Sequence, residues 1–197
     1  TATNASILTN LTPVFMVLIA AGWMREMLTR PDWTAMLAAF AGSVLVSQGA
    51  GHLTLSGTGL IGDVLMVLAS FLGAVYSIGG KVLSERYPAT LVITAVAALG
   101  ALMLLPLALL EGLTLALPLR IWGFIIVLGV GSGAIANLWW LRLLAMTTAS
   151  RAALLLFLIP LVSATLSVTL LHEPVTPLLI AGSALVLAGV VAVQRRP

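Results

Sequence analysis

Seven apolar runs, each about as long as a helix must be to cross a bilayer, follow one another along the chain, separated by charges, prolines and glycines. Hydrocarbon offers no water to an unpaired backbone group, so only helices and closed barrels can span it. Runs of this length specify helices. The predicted spans are residues 5–24, 31–46 (its helix starting near Thr29), 60–80, 89–110, 120–141, 152–171 and 177–193. Charged residues make up 8% of the 197, where a soluble domain carries roughly 25%. Such a chain cannot cover a water-facing surface, which excludes a soluble enzyme, a nucleic-acid binder and a disordered tail. The fold class is therefore an all-α polytopic membrane protein. The chain contains no cysteine and hence no thiolate chemistry.

Orientation follows from the cations. Consecutive spans alternate direction, so the first, third and fifth loops share one side with the C-terminus. That side carries Arg25, Arg30, Lys81, Arg86, Arg142, Arg151, Arg195 and Arg196, whereas the other carries Arg120 alone. The positive-inside rule then predicts a cytoplasmic C-terminus.

A shift of 147 positions lays residues 1–48 on 148–195 without a gap. Pro13 meets Pro160, Glu26 meets Glu173, Thr29 meets Thr176 and Gly42 meets Gly189. Apolar matches are cheap in such a sequence, but this ordered set is not. The matched spans are separated by an odd number of helix steps, so the copies cross the membrane in opposite directions. Inverted repeats of this kind are a hallmark of secondary transporters. The expected domains are residues 1–50, two helices closing a first repeat, and 60–197, a complete five-helix second repeat. By analogy three helices would precede Thr1. Positions 60 and 148 differ by 88, so the parent protein is expected to have ten helices in about 285 residues.

The segment Ala5-Ser-Ile-Leu-Thr-Asn-Leu-Thr-Pro13 followed by Glu26 and Gly42, and its counterpart Ala149-Ser-Arg-Ala-Ala-Leu-Leu with Pro160, Glu173-Pro-Val-Thr176 and Gly189, resemble the drug/metabolite transporter superfamily, EamA-type. Gly62-Asp63 and Leu138-Trp-Trp-Leu141 fit the same pattern. The resemblance covers the whole chain, from the fourth family helix to the tenth. It implies a ten-helix inverted five-plus-five fold and the alternating-access transport, commonly export, of small metabolites such as amino acids or drug-like compounds. It implies no cofactor.

Pro13 and Pro160 lie in mid-span, where a missing N–H and a ring clash free carbonyls at membrane depth. They are candidate flex points, or else static kinks. Six residues are candidate substrate contacts: Asn10, Tyr76, Asn137, Trp140, Phe157 and Ser163. Asn10 and Asn137 must find partners in hydrocarbon, either a substrate or a neighbouring helix. An aromatic is frequent in relatives near position 137, so its amide is a departure from the family. Trp140 shares a face with Asn137, whereas Trp139 suits an interfacial aromatic belt beside Arg142. Phe157, Pro160, Ser163 and Ser167 share another face, which serves either substrate stacking or core packing. Asp63, Ser70 and Ser77 form a stripe at seven-residue spacing, readable as a pathway lining with Asp63 as a proton carrier or as small-residue packing. Lys81 is expected to snorkel to the headgroups. Glu26 and Glu173 are expected to meet the N-terminus of the helix that follows each of them. Thr176-Pro177 reads as a cap and first-turn proline. Gly129 and Gly133 suggest close helix packing.

Gly57-Thr-Gly59-Leu-Ile-Gly62 matches a dinucleotide-binding fingerprint but lacks the strand that motif requires. His52 and His172 stand apart from any metal-ligand set. No nucleophile, base and orienter cluster, which argues against an enzyme. The partners expected are a small-molecule substrate and the bilayer, with no nucleic acid; proton or ion coupling and oligomeric state are open. The competing readings are a non-transporting scaffold or accessory subunit and a lipid-handling flippase.

Overall fold

The computed structural model describes residues 7–49, 60–112, 116–170, 172 and 174–194. Glu173, His52, Gly57, Gly59, Arg195 and Arg196 lie outside them. Seven helices are formed among the described residues: α1 (Ile7–Gly22), α2 (Arg30–Gly49), α3 (Leu60–Ser84), α4 (Ala89–Leu110), α5 (Leu119–Met146), α6 (Ala149–Leu170) and α7 (Pro177–Gln194). Among those residues no strand occurs. Helices α3 to α6 are long and apolar enough to cross a membrane, whereas α1 and α7 are shorter apolar helices. The architecture is that of a multi-pass α-helical membrane protein.

The differences from the predicted spans have local causes. Helix α3 continues past Gly79 and Gly80 to Ser84 because Gly80 packs on Leu141; a methyl there would come within 2.5 Å of a Leu141 methyl. Helix α6 starts at Ala149, not 152, because the Thr148 hydroxyl accepts a hydrogen bond from the Arg151 N–H at 3.4 Å and caps it. Helix α7 begins as predicted, with the Thr176 hydroxyl accepting from the Leu179 N–H at 3.2 Å.

The helices fall into two compact units, Thr1–Ile78 with Thr147–Pro197, and Gly79–Met146. In the first unit the dominant contact is α2 against α7. These two helices touch backbone to backbone. A methyl on Gly42 would lie 2.6 Å from the Gly182 carbonyl oxygen, and one on Gly182 would lie 2.7 Å from that of Gly42. One on Gly189 would lie 2.6 Å from the Ala35 carbonyl oxygen. Gly42 and Gly189 are 147 positions apart, as are Ala35 and Gly182. The two contacts are therefore the same contact made twice. Lipid tails are as apolar as leucine, so such helices associate through close packing, and small residues permit it.

In the second unit, α5 carries a nine-residue π-helical segment, Leu128–Ala136, between two α-helical ends. Three of its residues are glycines, Gly129, Gly131 and Gly133. A methyl on Gly129 or Gly131 would meet nothing within 4 Å among the described residues, and one on Gly133 only the Leu128 carbonyl of the same helix at 3.7 Å. The expected close packing at Gly129 and Gly133 is thus replaced by a wide helical turn. π-Helix is rare and occurs mostly as single-turn bulges inside α-helices, frequently at functional sites, so a nine-residue stretch is long for its kind.

Gly42→Ala should destabilise the protein by ~1–3 kcal/mol through overpacking, because the Gly182 and Val186 backbone and the Leu185 Cβ, none of which can swing aside, stand opposite. Gly100→Ala in α4, where a methyl meets nothing within 4 Å, should stabilise by ~0.5–1 kcal/mol. Thermal unfolding of the two variants in detergent reads the difference, and similar shifts in both would contradict the contact.

Candidate functional site

Helices α1 and α6 are both broken, and at matching positions. The regular α-helix of α1 resumes at Leu11 after a turn at Asn10, and that of α6 resumes at Leu158 after a turn at Phe157. Asn10 N–H donates to the Ile7 carbonyl at 3.1 Å, and Phe157 N–H donates to the Leu154 carbonyl at 3.2 Å. The cause is the proline three residues on. Pro13 and Pro160 cannot donate to the preceding turn, and their rings clash with its carbonyls. Each therefore sits in the first turn of a restarted helix, where the missing N–H costs little.

The stranded groups find partners nearby. The Ser70 hydroxyl of α3 donates to the Leu8 carbonyl at 2.9 Å, so one member of the expected serine stripe is occupied by the broken backbone. Asn10 is 7% exposed, and its amide donates to the Ser47 hydroxyl of α2 at 3.4 Å. Phe157 is buried edge-on against Phe40, with ring centroids 6.3 Å apart. Tyr76 is half-buried, and Ser163 is exposed. In the second unit, Asn137 donates to the Ser132 and Gly133 carbonyls at 3.0 and 3.1 Å, closing the end of the π segment. Trp140 is half-buried; Trp139 is 65% exposed with the Arg142 guanidinium 5.7 Å from its ring centre. Asn10 and Phe157 thus occupy equivalent break positions, 147 residues apart.

Glu26 differs from expectation. Its carboxylate does not serve the next helix, whose start is held by Asp32 accepting from the Thr29 N–H (2.8 Å) and hydroxyl (2.7 Å). It reaches instead to the start of α6. One oxygen accepts from the Ala149 N–H at 2.8 Å, and the other from the Ser150 N–H at 3.0 Å and hydroxyl at 2.6 Å. The partner helix is 123 residues away in sequence, a distance that local capping rules cannot bridge. A carboxylate is well placed there because the first amides of a helix have no internal partner and carry its positive dipole end. The turn that aims Glu26 includes Arg25 at φ 54°, in the left-handed region. Such a backbone costs about 1–3 kcal/mol in a non-glycine residue and persists where surrounding structure demands it. Among the described residues the other non-glycine with positive φ is His172, at 55° and 147 positions further on.

Beside the clamp lies a cavity of about 190 Å³ whose polar wall includes Glu26, Asp32, Trp33, Ser150 and Arg151. Its apolar wall includes Val17, Met36 and Leu154. None of the six candidate contacts lines it. Lys81 is a further residue the sequence concealed. It does not snorkel: it is 7% exposed and donates to the Leu144 carbonyl, at 2.6 Å, in the last turn of α5. Its ammonium also stands 3.9 Å from Glu85. The carbonyl end of a helix favours a cation, which explains how the charge is kept inside. Asp63 stays in the first turn of α3 and lines an otherwise apolar groove with Phe15 and Phe71.

The helix breaks at Asn10 and Phe157 and the Gly42 and Gly189 contacts thus recur at one sequence shift of 147. The family model of the EamA-like transporter family matches residues 1–48 and 60–194. The chain belongs to the EamA-like transporter family. Two relatives from Archaeoglobus fulgidus, both called uncharacterized transporters, are 33% and 30% identical over 98% and 96% of this chain. A "probable terminal-alkyne amino-acid exporter" from Streptantibioticus cattleyicolor is 28% identical over 98% of it. The chain spans 64–67% of the length of these relatives. A solved crystal structure superposes with a TM-score of 0.81 at 22% identity, covering 98% of this chain and 66% of the other, so the two share a fold.

Glu26→Gln should destabilise the protein by ~1.5–3 kcal/mol, the range for a charged group's hydrogen bonds. Hydrogen exchange should accelerate first at Ala149 and Ser150. Unchanged protection of those two amides would contradict the clamp.

Proposed function

We propose that the protein is a secondary transporter of small organic metabolites that works by alternating access between two inverted repeats. The observation that carries this reading is the pair of helix breaks at Asn10 and Phe157, each followed by its proline and each restarting a helix. A carrier needs helices that can bend at the depth of its substrate, and broken helices at equivalent positions of two repeats provide them. The repeats are read as residues 1–50, two helices of the first, and 60–197, the five helices of the second.

Membership in a transporter family supports the class of activity. The amino-acid exporter among the relatives favours amino-acid-like substrates moving outward. In this reading Asn10 and Phe157 lie nearest the substrate path, and Tyr76 and Ser163 offer hydroxyls within the same unit. Asn137 and Trp140 remain candidate contacts on α5, where the π segment can change its register. The arginine-rich ends face the cytoplasm of a bacterial-type inner membrane.

The native protein, reconstituted in liposomes, should exchange labelled neutral amino acids. Pro13→Ala and Pro160→Ala restore a backbone donor and straighten the helix, removing a distortion worth ~3 kcal/mol. Each should slow exchange roughly tenfold or more while leaving substrate binding in place. Exchange at the wild-type rate in both variants would overturn the role given to the breaks.

A further inference from the structure

In the second unit, the last turn of α3, the start of α4 and the end of α5 enclose a groove of about 450 Å³. Three kinds of donor meet there without an acceptor. The Ser84 hydroxyl is buried and has no hydrogen-bond partner among the described residues. Helix α4 starts after Pro88 with no side-chain cap, and no described group accepts from the Ala89 or Thr90 N–H. Those first amides carry the positive end of the helix dipole. The Arg142 guanidinium is exposed and stands 5.7 Å from the centre of the Trp139 ring, and no described acceptor or carboxylate engages its N–H groups. The nearby Glu85 carboxylate stands 3.9 Å from the Lys81 ammonium.

A buried hydroxyl left unpaired is costly. Set beside a bare helix start and an arginine fork, it calls for an anion with several acceptor oxygens. Phosphate suits all three, because a guanidinium binds two of its oxygens in parallel and helix amides take the others. Position and wall then select the source. Helices α4 and α5 are each long and apolar enough to span a bilayer, so the ends that form the groove lie at headgroup depth. Trp139 at that end suits the interfacial aromatic belt. Ala145 and Met146 continue the groove as an apolar wall, with Met146 85% exposed, where the glycerol and acyl chains of a lipid can lie. A zwitterionic headgroup would bring a cation towards Arg142, so an anionic lipid is favoured.

We propose that this groove binds the headgroup phosphate of an anionic phospholipid. Arg142 and the first amides of α4 hold the phosphate oxygens, and the Ser84 hydroxyl gains its missing acceptor. The site is independent of what the protein carries. Only its leaflet, the cytoplasmic one, follows from the orientation given above.

The test is titration of the purified, delipidated native protein in neutral detergent, with native mass spectrometry counting bound lipid. Phosphatidylglycerol and phosphatidylcholine of identical chains are compared at 0.5 M salt, where the Debye length is roughly 4 Å and general charge attraction is screened. The wild type should bind one phosphatidylglycerol about tenfold or more tightly than phosphatidylcholine. Arg142→Gln should weaken phosphatidylglycerol roughly tenfold, the loss of a charge-assisted pair of contacts, and should abolish the rise in unfolding temperature that the lipid gives the wild type. Ser84→Ala should weaken it about threefold, and it decides the matter if R142Q does not fold. Arg86→Gln, which removes an exposed cation outside the groove, should leave the affinity within about twofold. Equal affinity for the two lipids, an equal loss in R86Q and R142Q, or unchanged affinity in both R142Q and S84A overturns the site. Inorganic phosphate and glycerol 1-phosphate separate the sources. Displacement of the lipid by either at millimolar concentration overturns the lipid assignment in favour of a free anion, whereas resistance to both supports it.

Discussion

Close approach of α2 and α7 governs the first unit, and it is possible only because glycines and an alanine stand where the backbones touch. In water, two amphipathic helices would be driven together by burial of their apolar faces. In a membrane that drive is largely absent, and surface contact itself must hold them. Gly42, Gly182 and Gly189 let carbonyl oxygens of one helix approach the other backbone to a distance that any side chain would forbid. Because these contacts recur at a 147-residue shift, the region where they meet treats its two halves alike.

The same constraint explains where polar groups go. Each proline breaks a backbone ladder in hydrocarbon, and the structure answers locally through short i to i+3 bonds and through Ser70. Asn137 answers in the same way for the carbonyls at the end of the π segment. Lys81 and Glu26 show the charged version of this rule. A buried cation sits at the carbonyl end of a helix, and a partly buried carboxylate sits at the amide end of another. In both cases the helix terminus supplies the counter-charge that solvent would supply at a surface.

Much of this was legible in the residues. The seven helices, the 147-residue shift and the matched prolines are properties of order and spacing, which survive without coordinates. So was the Asn10 tether, foreseen as one of two readings because an amide in hydrocarbon must find a partner. Lys81 was misread because snorkelling is the default for a lysine near a helix end. Only the fold reveals that Leu144 offers a carbonyl within reach. Glu26 was read as a carboxylate for a helix start, which it is, but assigned to the wrong helix. The pattern of one turn contains no information about a helix 123 residues away.

Sequence alone determined the class of protein, because hydrophobicity over helix-length runs leaves a chain no other way to satisfy its backbone in lipid. It also determined the positions of the breaks, because proline acts through covalent structure and not through neighbours. The tertiary structure decided which charges meet. Glu26 at α6, Lys81 at the end of α5, and Asp32 with Arg151 around one cavity all join segments distant in the chain. Electrostatic contacts depend on separations of a few ångströms, and those exist only once the helices have packed.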